Sequence, residues 1–395
     1  METRFQIKRH EKLSTILILL FFMCDVSVTL WAHNLAGFFA YASFVLATMA
    51  AGVSMVNASQ RKINVKKEAC VYCIALLSYV LSFLYNGNIL FTDVLWYFKY
   101  LFIASALLRT TLWLFPVKIV FWGLVSYFGF IILKATDINV ITNQVSYNII
   151  SVYLFVFISL YYISAVSQKK EVSYLPLIAV AVICFWTGSR SSIIASIVLA
   201  LGTILFPQNG EKVLNKKRIQ RMLIGGLFLI AIYYYFTTHG LMEYILQQYN
   251  TKAELELLKD TRFVIIQSYL DSCRQSPLSF IFGAKLTSIP TIKMFMTNPH
   301  NMYIRMHANF GLFFCVMIFF LSINALFFYL RKKSLYFFAL LVLLLRGFSD
   351  IVGFSGNFDP LIYYFILGPL CYKRGMEKQR ELEYFRWRKD IEKVY

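Results

Sequence analysis

What most constrains this chain is a succession of apolar runs, each close to the length a bilayer requires and each separated from the next by a few polar residues. Their approximate limits are 13–31, 36–56, 69–85, 92–108, 114–133, 148–166, 174–187, 191–206, 222–238, 303–330, 335–354 and 360–371. In hydrocarbon a helix satisfies its backbone groups internally, so the runs predict an all-α polytopic membrane protein. About 12 transmembrane helices are expected, within a range of about ten to thirteen because 174–187 and 360–371 are short. Composition agrees, with 59% hydrophobic and 15% charged residues against about 25% charged in an ordinary soluble domain. The first run follows a basic start and has no small-residue cleavage site, which predicts a retained helix rather than a signal peptide.

The net charge of +19 would suggest nucleic acid in a soluble protein. Here the basic residues cluster between apolar runs, where the positive-inside rule applies and no nucleic acid is expected. Arg4, Lys8, Arg9 and Lys12 precede the first run. Alternate turns then hold Arg61, Lys62, Lys66 and Lys67; Arg109 and Lys118; Lys169 and Lys170; Lys212, Lys216, Lys217, Arg218 and Arg221; and Arg331, Lys332 and Lys333. The short intervening turns 32–35, 86–91 and 355–359 hold no Lys or Arg. That asymmetry predicts both termini in the cytoplasm. The expected order is transmembrane helices 1–9 over 1–238, a long outward-facing loop over 239–302, helices 10–12 over 303–371 and a basic cytoplasmic tail over 372–395. Tyr384, Phe385 and Trp387 interleave with charge in that tail, which suits an interfacial helix or a solvated tail equally.

The long polar stretch before the last third of the chain is unlike anything else in it, and loops on a rigid scaffold commonly hold function. We expect it to form a lid and part of an active site. It closes with Pro299-His300-Asn301-Met302-Tyr303-Ile304 at the mouth of the next apolar run.

Three cations stand out as site candidates. Arg190 lies in Thr187-Gly188-Ser189-Arg190-Ser191-Ser192, a tight turn or helix start whose free N–H groups favour an anion. Its guanidinium suits phosphate oxygens, and an interfacial Arg reaching headgroups fits the same spacing. Arg262 begins an amphipathic pattern and reads on its spacing as a solvated Arg or as a residue that carries chemistry. His300, with an ordinary pKa of about 6.5, suits proton removal from a hydroxyl, phosphate binding when charged, or a structural role. Arg346 and Asp350 fall four apart on one predicted helix face, as a structural ion pair or a supporting element of a site. Lys99 and Asp25 are single charges within spans, each facing a wet cavity, pairing across helices or reaching water.

Several patterns are missing. The chain contains no Asp-x-Asp clamp for a metal-bound nucleotide sugar and no nucleotide-type Gly-rich loop. Glu254-Leu255-Glu256 places its carboxylates on different sides of a helix. Cys70-Val71-Tyr72-Cys73 has the spacing of a redox or zinc pair but no second ligand set, and reads as small apolar helix residues. No cofactor and no metal are expected. The two halves show no matched interrupted helices, the mark of repeat-built transporters.

Taken in order, Thr187–Ser192 before an apolar span, an Arg early in a long outer loop, and His300-Asn301-x-Tyr303-Ile304 followed by Gly311 resemble the O-antigen polymerase and O-antigen ligase superfamily. These are bacterial inner-membrane enzymes of the GT-C glycosyltransferase class. The likeness covers roughly 180–370 and includes the charged pair Arg346 and Asp350; the usual Gly-Leu-Gly is Gly311-Leu312-Phe313 here. The resemblance implies a donor glycan on undecaprenyl pyrophosphate at the periplasmic face, with Arg190 and Arg262 binding the pyrophosphate. It implies that His300 orients or deprotonates the acceptor hydroxyl, with Asn301, Tyr303, Arg346 and Asp350 in support. Transfer would be inverting and metal-independent. A polymerase adding the chain to the next lipid-linked repeat unit is the first expectation. A ligase passing it to lipid A–core is the second, and a lipid-linked oligosaccharide flippase or other transporter is the reading from another class.

Overall fold

The computed structural model describes residues 7–30, 33–56, 63–87, 91–134, 148–168, 170, 172–187, 189–205, 234, 237–238, 261–294, 298–332, 334–350, 352–354 and 356–371. The expected span 222–238, the stretch 239–260 and the tail 372–395 therefore lie outside the described residues, save single helical positions at 234, 237 and 238.

The protein is helical, with no strand among the described residues. In order the helices are α1 (Arg9–Leu30), α2 (Ala36–Met55), α3 (Val65–Asn86), α4 (Phe91–Arg109), α5 (Leu114–Leu133), α6 (Asn148–Ser167) and α7 (Leu175–Trp186). There follow α8 (Arg190–Leu205), α9 (Thr261–Arg274), α10 (Pro277–Phe282), α11 (Pro290–Met294), α12 (Met302–Lys332), α13 (Ser334–Arg346) and α14 (Asp359–Cys371). Five of them, α2, α3, α5, α6 and α12, are long and apolar enough to cross a membrane; α7, α8, α13 and α14 are shorter apolar helices. The fold is that of a multi-pass helical membrane protein.

Burial divides the helices into two kinds. Every residue of α6 from Ile150 to Ala165 is buried, and α14 is buried from Asp359 to Gly368. A helix apolar all round must sit inside a bundle, and these two form its centre. By contrast α2, α3, α5 and α12 leave Leu, Phe and Val side chains exposed along one stripe, such as Leu77, Leu81 and Leu84 on α3. Pairwise, α1 packs on α2, α2 on α4, α5 on α6, α8 on α7 and α13, and α12 on α3, α13 and α14.

Two predicted spans differ in detail. The run 335–354 is not one helix: α13 stops at Arg346 and an irregular turn follows. At the stop the chain meets the start of α12. Gly347 lies where a Cβ would stand 2.3 Å from Met302 Cε, and its carbonyl accepts from the Met302 N–H at 2.8 Å. Further on, the Asp359 carboxylate at the start of α14 holds the preceding loop by accepting the backbone N–H groups of Phe354 and Gly356. Asp350 is consequently beyond the helix, and its place on a shared helix face with Arg346 is corrected. The second difference is Gly311, a break inside α12 with φ 73° and ψ 179°. A Cβ there would meet the Ile281 carbonyl oxygen at 2.5 Å, so close contact with α10 requires glycine at this point.

The segment 261–294 is pinned to the bundle rather than free to close over it. Ile265, Tyr269, Cys273, Ala284, Ile289 and Ile292 form a small core with Ile304 and Ala308 of α12. The expected lid, where it is described, is a docked platform.

Candidate functional site

His300 sits in the turn that feeds α12, half-buried, with φ 47°, a left-handed conformation uncommon for a side chain bearing a Cβ. Pro299 precedes it, and its own N–H donates to Asn298 Oδ1 at 2.8 Å, which closes the turn. Strained backbone of this kind persists where surrounding structure over-determines it, and functional turns are a common setting.

Asn301 and Tyr303 have evident work in holding that turn. Asn301 Oδ1 accepts the N–H groups of Tyr303 at 2.8 Å and Ile304 at 3.1 Å, capping α12. Its amide donates to the Phe348 carbonyl at 3.3 Å, while Tyr303 Oη donates to the Leu344 carbonyl at 2.8 Å. With the Met302–Gly347 backbone bond, these contacts fasten the His300 turn to the end of α13. Their expected supporting role takes the form of structural anchorage.

At that end lies Arg346, fully buried. Its Nη1 donates to Ser349 Oγ at 2.7 Å, its Nη2 stands 3.5 Å from Asp350 Oδ2, and its Nε has no hydrogen-bond partner among the described residues. Cys184 of α7, Asp350 and Arg262 all lie within electrostatic reach of this guanidinium. Asp350 and Arg262 also act on His300. Burial holds the imidazole below its ordinary pKa, the Asp350 carboxylate opposes that, and the Arg262 guanidinium adds to it. The His300 ring is therefore set toward its neutral form, able to accept a proton.

Arg262 is exposed at the first turn of α9, and α9 is held in place by the small core beneath it. Thus Arg262, His300, Arg346 and Asp350 share one neighbourhood. Arg190 is exposed at the first residue of α8. It follows the Thr187 end of α7 and is not among the charged groups that act on His300 or Arg346, so the structure does not bring it together with them. The serines beside it are committed elsewhere. Ser192 Oγ pairs with Ser189 Oγ at 2.7 Å and with Ser151 Oγ of α6 at 2.6 Å, while the Ser192 and Ile193 N–H groups bond the Ser189 carbonyl. Helix capping and interhelical packing account for them.

The neighbouring cations face elsewhere. Arg305 lies within reach of Tyr100 in the bundle, and His307 turns to the platform. Lys99 and Asp25 pair across helices, Nζ to Oδ1 at 3.5 Å, with Ser43 Oγ accepting from Lys99 at 3.2 Å. Among the described residues no cluster of three or more His, Cys, Asp or Glu could hold a metal ion.

Sequence reading missed Ser349, whose signal was its place three residues after Arg346. It also missed the buried pair of Arg109 with Glu68, whose terminal nitrogens and carboxylate oxygens meet two to two. No sequence spacing joins residues on separate helices in that way.

The helices and this cluster define the class: a multi-pass helical membrane protein with basic groups and an imidazole gathered at one end of its bundle. Among known protein families, curated proteins and solved structures, none matches this chain.

Proposed function

We propose that this protein is an O-antigen or related surface-polysaccharide polymerase of the bacterial inner membrane, a GT-C glycosyltransferase spanning it about 12 times. Both termini are cytoplasmic in this reading, and the His300 end of the bundle faces the periplasm. The donor is a growing glycan on undecaprenyl pyrophosphate; the acceptor is the next lipid-linked repeat unit. The acceptor hydroxyl attacks the anomeric carbon, its proton passes to His300, and the sugar–phosphate C–O bond breaks with inversion. Undecaprenyl pyrophosphate leaves with the bonding pair. Cationic side chains meet its developing charge, a route by which fixed electrostatics accelerates transfer without a metal or other cofactor. Partners are the two lipid-linked oligosaccharides and membrane lipid, with a flippase and a chain-length regulator alongside.

One observation supports the reading above others: Arg262 and Asp350 act on a half-buried His300 whose pKa is lowered by burial, and the same two residues lie within electrostatic reach of the buried Arg346. The sequence order of the motifs supports it independently. The test is purified protein with lipid-linked repeat units in detergent, read as glycan length. Longer chains that persist with chelator present are expected. Unchanged length would favour a carrier, and transfer only to added lipid A–core would favour the ligase.

A further inference from the structure

The short helix α10 belongs to a segment that sequence assigns to water, yet its hydrogen bonding is that of a helix end in hydrocarbon. The last carbonyls of any helix lack intrahelical partners, and at an aqueous end water supplies them. Here the spanning helices supply them. His307 Nε2 of α12 donates to the Phe280 carbonyl at 2.9 Å, and since a carbonyl only accepts, that nitrogen bears the proton. Ser82 Oγ of α3 donates to the Phe282 carbonyl, and Asn86 Nδ2 donates to the Gly283 carbonyl at 3.2 Å. The backbones touch as well: a Cβ on Gly283 would stand 2.3 Å from the His307 carbonyl oxygen.

Three side chains of α10 remain largely open, although the Phe280 ring also lies 6.3 Å from the His307 ring. Leu278, Phe280 and Ile281 are 49%, 52% and 46% exposed, three large apolar groups in a helix of six residues. They continue an apolar surface that already faces outward, made by Leu81 and Leu84 of α3 and Phe313 and Val316 of α12. Tyr85 joins the two surfaces, its ring 5.7 Å from Phe282 and its hydroxyl 3.1 Å from Ser279 Oγ. In lipid, non-spanning backbone is tolerated only where protein satisfies its polar groups. That condition is met on one face of α10 while the other face is apolar.

We infer that α10 dips into the membrane, with Leu278, Phe280 and Ile281 seated among lipid acyl chains of the leaflet at the His300 end. The inference does not depend on the proposed chemistry. It makes the platform a membrane-anchored element, and it sets the groups of the site beside lipid rather than above it.

The full-length protein in bilayer vesicles tests this with two photoactivatable diazirine reagents, one in a phospholipid acyl chain and one water-soluble. Trypsin releases Gln275 to Lys285 as a single peptide, between Arg274 and the residue after Lys285. That peptide is expected to take the acyl-chain label, as α12 peptides carrying Phe313 and Val316 do, and to lack the aqueous label. Aqueous labelling of it, or no label from either reagent while α12 is labelled, overturns the inference.

Discussion

Two fully buried arginines at opposite ends of the bundle show how differently one side chain can be housed. At the end where α3 and α5 begin and α4 stops, Arg109 faces the Glu68 carboxylate with both terminal nitrogens, and Nη1 also donates to the Ser105 carbonyl at 3.0 Å. The surrounding chain ends are tied together: Asn64 N–H to the Cys371 carbonyl at 2.8 Å, and Thr111 N–H to Glu11 Oε1 at 3.2 Å. At the other end Arg346 has one good hydrogen bond, to Ser349, and a carboxylate at 3.5 Å that is itself one-fifth exposed. Paired and enclosed, the first cation is part of the scaffold. The second is desolvated but only partly neutralised, and such a group retains attraction for an additional anion.

The largest effect expected is on stability at the Arg109 end. Glu68→Ala leaves a buried guanidinium without its carboxylate, a change that costs about 3–5 kcal/mol. Thermal unfolding in detergent should show it, with much of the loss recovered in the Glu68→Ala/Arg109→Leu double variant. Asp350→Ala is expected to cost clearly less, since the pair it breaks is longer and part-exposed. Equal losses would erase the contrast between the two ends.

Next comes activity at the His300 end. Removing a proton acceptor typically slows a reaction about 10²- to 10⁴-fold, and His300→Ala should do so in the chain-elongation assay. His300→Gly should lose as much activity while matching or exceeding the parent in stability, because glycine adopts φ 47° without steric cost. Arg262→Ala and Arg190→Ala should each abolish elongation with insertion intact. Elongation surviving Arg190→Ala would leave Arg262 and Arg346 as the cations of the site.

Smaller still is the anchorage of the turn. Asn301→Ala removes the α12 cap and the bond to the Phe348 carbonyl, at about 1–2 kcal/mol. Tyr303→Phe removes one bond to the Leu344 carbonyl, at about 1 kcal/mol. Both should loosen α12 against α13 in hydrogen exchange of the turn 298–301.

Much of the fold was legible because hydrocarbon leaves a backbone so few choices. The helices α2, α5, α6 and α8 fall within a residue or so of the expected runs. The run 335–354 was misjudged for a physical reason: apolarity continues through Phe348, Ile351 and Phe354, while at Gly347 the helix ends and its carbonyl bonds the Met302 N–H, a contact remote in sequence. At the site, His300 and Arg262 were visible as polar groups beside apolar runs. That Asn301 and Tyr303 anchor a turn, and that the serines near Arg190 pair with α6, required the neighbouring helices. The docking face of α9 was foreshadowed by the amphipathic pattern after Arg262, with Ile265, Tyr269 and Cys273 four apart, whereas α10 left no such signal because its bonds go through backbone carbonyls that every residue possesses.

The finest probe of the contrast is the charge balance around His300. Burial lowers its folded-state pKa, Asp350 raises it and Arg262 lowers it. A depressed histidine contributes stability that is present above its unfolded value of about 6.5 and is lost as pH falls through the folded value. The neutral, proton-accepting ring therefore persists to lower pH than an ordinary imidazole, and the acid limb of the rate profile should lie below about 6.5. Residual activity in Asp350→Asn should carry that limb lower, since a raising influence is removed. Arg262→Lys keeps the charge and should leave the limb in place while weakening donor binding. In the neutral Arg262→Gln, where elongation is expected to be lost, the His300 ring titration read by NMR should move upward, by a small amount because the guanidinium is exposed and screened. Opposite shifts from these two neutralising changes, Asp350→Asn and Arg262→Gln, would tie both residues to His300 in solution. No shift from either change would mean that the ring responds to burial alone, and shifts of one sign would contradict the opposed influences of the two charges.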